Sequence, residues 1–163
     1  KMAAPKILKV VINTCFGKTA AAKTAGEREK TQNSIMRDLA SISGQKPKLV
    51  KARKSIAGFK LREGLEIAAM ATLRKDKMWD FLERLIYLSL PRSRDFKGIP
   101  QKAIDERGNL NIGFREHISF SEIFTEKEKT IFGLEITVVT NAKSKEEGLE
   151  LYKLLGFPVK ESK

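Results

Sequence analysis

The spacing of apolar and polar positions changes several times along this chain, and each change marks an element. Residues 7–12 are rich in β-branched side chains and predict a buried strand. Residues 17–26 are small and polar, and predict a loop. From 27 to 43 the pattern is helical, with Ile35, Met36, Leu39, Ala40 and Ile42 on the apolar side. Gly44 is placed to stop that helix, and Pro47 follows it. Residues 48–53 and 65–73 then read as two strands of a hairpin. The segment between them, 54–64, is too long for a tight turn. It predicts a protruding loop, and long ordered loops in compact domains are often functional.

The second half opens with the clearest helix. Met78, Phe81, Leu82, Leu85 and Ile86 form one continuous face, Asp76 is placed to cap the start, and Pro91 to end it. Residues 92–108 look irregular and contain Gly98 and Pro100. Residues 110–120 alternate loosely, and 134–140 are strongly β-prone. Ser144-Lys145-Glu146-Glu147 fits a capping box for a last helix reaching about Leu155, stopped by Gly156 and Pro158. Strands and helices mix without regular βαβ spacing. The expected fold is α+β, an antiparallel sheet with helices packed on one face and the other face free for a ligand. No repeat or low-complexity block divides the chain, so residues 1–163 are read as a single domain.

Charge narrows the function. Lys plus Arg number 32 against 20 Asp plus Glu, a formal net charge of +12. That excess exceeds what solubility requires and creates a field that draws in polyanions. Nucleic acid is the expected partner. A single cysteine, Cys15, rules out an internal disulfide, and with His117 it is one of only two soft metal ligands. No metal or cofactor is expected. No apolar run approaches the ~20 residues of a membrane span, and no secretory signal is visible.

The basic stretch 46–62 holds Lys46, Lys48, Lys51, Arg53, Lys54, Lys60 and Arg62 with no acid among them. Such a density repels itself until a polyanion neutralises it and releases its counterions. Phe59 in its middle has two readings: a core residue, or an aromatic that packs on an exposed base or ribose. Further basic clusters are Arg74, Lys75 and Lys77, then Arg92, Arg94 and Lys97. Enzyme chemistry finds little footing. Nothing places Cys15 beside His117, and the glycine pattern of a phosphate-binding loop is absent. Asp105 and Glu106 are adjacent and would point to opposite faces of a strand. No catalytic residue is expected.

Longer words then become specific. Ile42-Ser43-Gly44-Gln45-Lys46-Pro47 precedes Lys51-Ala52-Arg53-Lys54-Ser55-Ile56-Ala57-Gly58-Phe59-Lys60-Leu61-Arg62. Thr72-Leu73-Arg74, Met78-Trp79-Asp80-Phe81 and Pro91-Arg92-Ser93-Arg94-Asp95-Phe96-Lys97-Gly98 follow. Arg107-Gly108-Asn109 and Ala142-Lys143-Ser144 come later. In this order they resemble the bacterial-type large-subunit ribosomal protein five family, from about Pro5 to Phe157.

The resemblance implies a curved antiparallel sheet backed by helices, in the central protuberance of the large subunit. It implies 5S rRNA and large-subunit rRNA as partners, with Lys9, Asn13, Gln45, Thr72 and Arg74 as rRNA contacts. It also implies that the loop meets the peptidyl-site tRNA through Lys51, Arg53, Lys54, Ser55, Phe59, Lys60 and Arg62. A bridge to a small-subunit head protein and contacts with other central-protuberance proteins are further expectations. The expected location is the ribosome of a bacterial cytoplasm, with an organelle ribosome second. The chain departs from the family at Thr14-Cys15-Phe16-Gly17, where a glycine-rich turn is usual, and at Ser121, where proline is common. The family's helix ahead of the first strand is not among these residues. A free-standing RNA chaperone or translational regulator using the same surface is the rival reading, and a nuclease or RNA-modifying enzyme a more distant one.

Overall fold

A computed structural model describes residues 4–17, 25–94, 96–123 and 131–160. Five strands form one antiparallel sheet: β1 (Ile7–Cys15), β2 (Lys48–Lys51), β3 (Glu66–Leu73), β4 (Leu110–Phe114) and β5 (Leu134–Thr140). Their spatial order is β2-β3-β1-β5-β4, so β1 is central and β2 and β4 are the edges. Three helices accompany them: α1 (Ala25–Ser43), α2 (Asp76–Arg84) and α3 (Lys145–Leu154). The expected α+β architecture is what forms.

Cross-strand partners share a face, so the register sorts the sheet. Val10 lies between Leu73 and Val138, and Ile12 between Ala71 and Ile136. All six are buried. Val10, Ile12, Leu73, Ile136 and Val138 join Ile35, Leu39 and Ile42 of α1 and Phe81 and Leu82 of α2 in one core. The alternate residues of β1 face the other way: Val11 beside Thr72 and Thr137, Asn13 beside Met70 and Glu135. The expectation of a strand buried throughout is therefore corrected. The helices cover one face only, and Val11 is an apolar residue on the open face, so composition alone misjudged that side.

The ends of the elements also differ from the pattern's forecast. Asp76 does not cap α2. It stands in the first turn, where its charge favours the helix dipole, and Lys75 occupies the cap position with φ +54°. Nor does Pro91 end the helix. A π turn, Leu85–Ser89, carries the chain into a final turn, Leu90–Arg92, that contains the proline. Leu90 N–H reaches back to the Leu85 carbonyl, which re-spaces the ladder just ahead of the residue that has no N–H to give. At α3, Ser144 Oγ accepts from Glu147 N–H at 3.3 Å as expected. The Glu147 carboxylate takes the N–H of Lys143 at 2.9 Å, one residue earlier than a standard capping box.

The two departures from the family words have local uses. Where a glycine-rich turn is usual, β1 simply continues: Thr14 Oγ1 donates to the Gly133 carbonyl at 2.7 Å and Phe16 is buried. Ser121 Oγ donates to Glu122 at 3.2 Å, and Glu122 pairs with Arg84 of α2. Of the loop expected over 17–26, residues 18–24 lie outside the described residues.

Candidate nucleic-acid interface

Lys9, Val11, Asn13 and Cys15 alternate along β1 on the open face. Register places Asn13 in a row with Met70 and Lys48, and Val11 in a row with Thr72, Thr137 and Asn111. Thr137 Oγ1 donates to Asn111 Oδ1 at 2.8 Å, which leaves the Asn111 NH2 as a donor. The face is therefore a half-exposed platform of amides, hydroxyls and short apolar side chains. Lys9, Asn13 and Thr72 share it. Lys48, Asn111 and Thr137 share it and were not among the expected contacts. Only the pairing register, which a single sequence does not contain, brings them together.

Gln45 and Arg74 stand at one end of this platform. Gln45 follows Gly44, whose φ of +64° turns the chain out of α1. Its Nε2 donates to the Thr72 carbonyl at 2.8 Å, and its own carbonyl accepts from Ser43 Oγ at 2.9 Å. Gln45 thus fastens the α1–β2 turn to β3, and its Oε1 is the atom left for a ligand. Arg74 is exposed just past the end of β3.

At the β2 edge the long loop is an ordered projection. Ala52 N–H donates to the Leu65 carbonyl at 2.7 Å and closes its base. Ile56 and Leu61 exchange N–H···O bonds of 3.0 and 3.1 Å, and the 3-10 turn Ala57–Phe59 makes the tip. Lys60 completes the turn in the left-handed region, φ +53°. Ser55 Oγ is used inside the loop, donating to the Leu61 carbonyl at 3.0 Å. Phe59 is 69% exposed, which decides between its two readings: it is not a core residue. Lys51, Arg53, Lys54, Lys60 and Arg62 are all exposed, and among the described residues none has an ion-pair partner. Arg28 of α1 joins Ser55, Lys60 and Arg62 around a cleft of about 500 Å³ behind the loop.

The groups weighed for catalysis have other employment. Cys15 is exposed, whereas His117 is fully buried in the 3-10 turn His117–Ser119, stacked on Phe132 at 4.0 Å. Its Nδ1 accepts from Phe132 N–H at 3.4 Å, and its Nε2 lies 3.7 Å from Asp38 Oδ2. Asp105 is in a turn, not a strand. It accepts from the N–H groups of Arg107 and Asn109 at 2.9 and 2.7 Å and from Asn109 Nδ2 at 2.8 Å. Its slight burial raises the carboxyl pKa, but these bonds and the nearby Arg107 charge outweigh it and leave the net value lowered. Among the described residues no cluster of His, Cys, Asp or Glu is placed to hold a metal, and no helix is long and apolar enough to cross a membrane.

A half-open polar sheet flanked by an uncompensated basic loop defines an α+β protein of the nucleic-acid-binding class. Comparison with known proteins makes this specific. Residues 1–62 match the family described as "Ribosomal protein L5", and residues 66–159 match "ribosomal L5P family C-terminus". Over 157 residues the chain is 48% identical to large ribosomal subunit protein uL5 of Halothermothrix orenii, covering 96% of this chain and 84% of that one. Against uL5 of Geotalea uraniireducens it is 50% identical over 157 residues, again 96% of this chain and 84% of the relative. Against uL5c of Gracilaria tenuistipitata it is 49% identical over 154 residues, 94% of this chain and 83% of the relative. The chain belongs to the ribosomal protein L5 family. It is a structural constituent of the large ribosomal subunit and not an enzyme.

Proposed function

We propose that this chain holds 5S rRNA and large-subunit rRNA on the open face of its sheet, within the central protuberance. Lys9, Asn13, Gln45, Thr72 and Arg74 make the rRNA contacts. The observation that carries this is the placement of Lys9, Asn13 and Thr72 on one half-exposed face, with Gln45 tied to Thr72 and Arg74 exposed beside it. Hydroxyl, amide and guanidinium groups together suit ribose and unpaired base edges. The loop meets the peptidyl-site tRNA through Lys51, Arg53, Lys54, Ser55, Phe59, Lys60 and Arg62. Transfer RNAs differ in sequence, so an aromatic tip with unpaired cations, which reads shape and backbone, is the suitable design. Contacts to a small-subunit head protein and to other central-protuberance proteins complete the role, in the ribosome of a bacterial cytoplasm or, second, of an organelle.

The whole chain acts as one ribosomal-protein domain. In support, β1 comes from the first family match yet lies between β3 and β5 of the second, so neither match completes the sheet alone.

Binding of the purified chain to 5S rRNA and to an equal-length competitor RNA, across a salt series, tests the reading. A preference for 5S rRNA that survives moderate salt and weakens in Arg74→Ala is expected. Equal, steeply salt-sensitive binding to both RNAs would withdraw the residue roles.

A further inference from the structure

Arg74, Lys75 and Lys77 read in the sequence as one basic patch, yet the fold uses them differently. Lys77 is exposed in the first turn of α2, where the positive end of the helix dipole disfavours a cation. Its ammonium reaches the other helix. Nζ donates to the Gly44 carbonyl at 3.1 Å, just past the C-terminus of α1. The last turn of α1 has no basic residue of its own. Its end carbonyls draw their cations from α2: Lys77 on Gly44, and Arg84 Nη2 on Ile42 at 3.4 Å. A positive charge is favourable at a helix C-terminus, so what Lys77 costs in α2 is offset at α1. Among the described residues no carboxylate pairs with Lys77.

The Gly44 carbonyl lies in the same rigid peptide plane as the Gln45 N–H. That N–H donates to Ser43 Oγ at 3.4 Å, and the Gln45 side chain crosses to the Thr72 carbonyl at 2.8 Å. Gly44 is at φ +64° with open space where a Cβ would be, so its own backbone does little to fix the plane. We propose that Lys77 is a positioning residue. Its ammonium holds the peptide plane between Gly44 and Gln45, and so sets Gln45 against Thr72 for selective binding of 5S rRNA. This rests on the roles proposed above for Gln45 and Thr72, and it takes Lys77 out of the set of phosphate contacts. A cation that meets phosphate raises affinity for different RNAs alike. A cation that orients an amide changes which RNA is preferred.

The test uses the full chain as wild type, Lys77→Met, Lys77→Arg, Gln45→Ala and the Gln45→Ala, Lys77→Met double variant, each checked for folding by thermal melt. NMR of the RNA-free chain reads solvent exchange of the Gln45 side-chain amide. Lys77→Met is expected to speed that exchange, and Lys77→Arg to keep it slow. Binding to 5S rRNA and to an equal-length competitor RNA is then measured across a salt series. Lys77→Met is expected to lower the preference for 5S rRNA by about fivefold. The slope of log affinity against log salt should stay as in wild type. In the Gln45→Ala background, Lys77→Met should lose no further preference. Amide exchange as slow as wild type in folded Lys77→Met overturns the proposal. So does equal weakening of both RNAs with a slope reduced by about one, the mark of a phosphate contact. If wild type does not select 5S rRNA, the broader role fails, while the amide exchange still decides whether Lys77 positions Gln45.

Discussion

The side-chain amide of Gln45 donates to the main-chain carbonyl of Thr72 at 2.8 Å, across 27 residues of sequence. One residue proposed to touch RNA thus positions another. Gln45→Ala removes that bond and leaves a half-buried carbonyl short of a partner. It should lower folding stability by about 1 kcal/mol in a denaturant titration. Binding to 5S rRNA should fall further than the stability loss explains, because the Oε1 contact goes too. Unchanged stability would mean that the bond does not hold the platform.

Gly148 and Gly108 set how closely α3 can approach the turn ahead of β4. A Cβ on Gly148 would lie 2.6 Å from the Gly108 Cα and 2.8 Å from its carbonyl oxygen, both backbone atoms with little room to yield. Gly148→Ala should therefore destabilise the fold by ~1–3 kcal/mol despite alanine's better helix propensity. A thermal melt at or above wild type would show that α3 shifts at little cost.

Beneath that contact, Tyr152 is fully buried, with its hydroxyl 2.9 Å from the Gly108 carbonyl and 3.2 Å from that of Val138. Burial pushes the phenol far above its ordinary value. The folded state thus holds its proton where the unfolded chain releases it, near pH 10. This contribution is complete below that pH and is lost progressively as pH rises from there toward the raised folded-state value. Stability should decline more steeply from about pH 9 to 11 in wild type than in Tyr152→Phe, measured by urea titration at each pH. Parallel curves for the two proteins would refute it.

Much of the fold was legible because its signals are local. The helical face of α2, the β-branched run of β5 and the Ser144 cap each lie within a few residues, and each formed. What escaped depends on partners distant in sequence. That Val11 faces outward follows from helices covering only the other side, and that Asn111 shares a row with Thr72 follows from register. The π turn ahead of Pro91 was missed for a different reason. A proline reads as a stop, yet the helix absorbed it by changing its hydrogen-bond spacing. On the site, the loop charges could be read directly as a run, whereas Arg28 reached the loop only through the packing of α1.

Phe59 separates affinity from stability most cleanly. Its ring is 69% exposed at the tip of a loop closed by its own backbone bonds, so Phe59→Ala should change the folding free energy by no more than about 0.5 kcal/mol. If the ring packs on the folded arm of tRNA, the same change should weaken tRNA binding by ~1–3 kcal/mol, nearly independently of salt. Arg53→Ala should behave differently. Removing one unpaired cation should reduce the slope of log affinity against log salt by about one and weaken different tRNAs alike. Filter binding of two unrelated tRNAs across a salt series measures both effects. An unaltered affinity in Phe59→Ala would remove the aromatic tip from the interface and leave the loop a purely electrostatic contact.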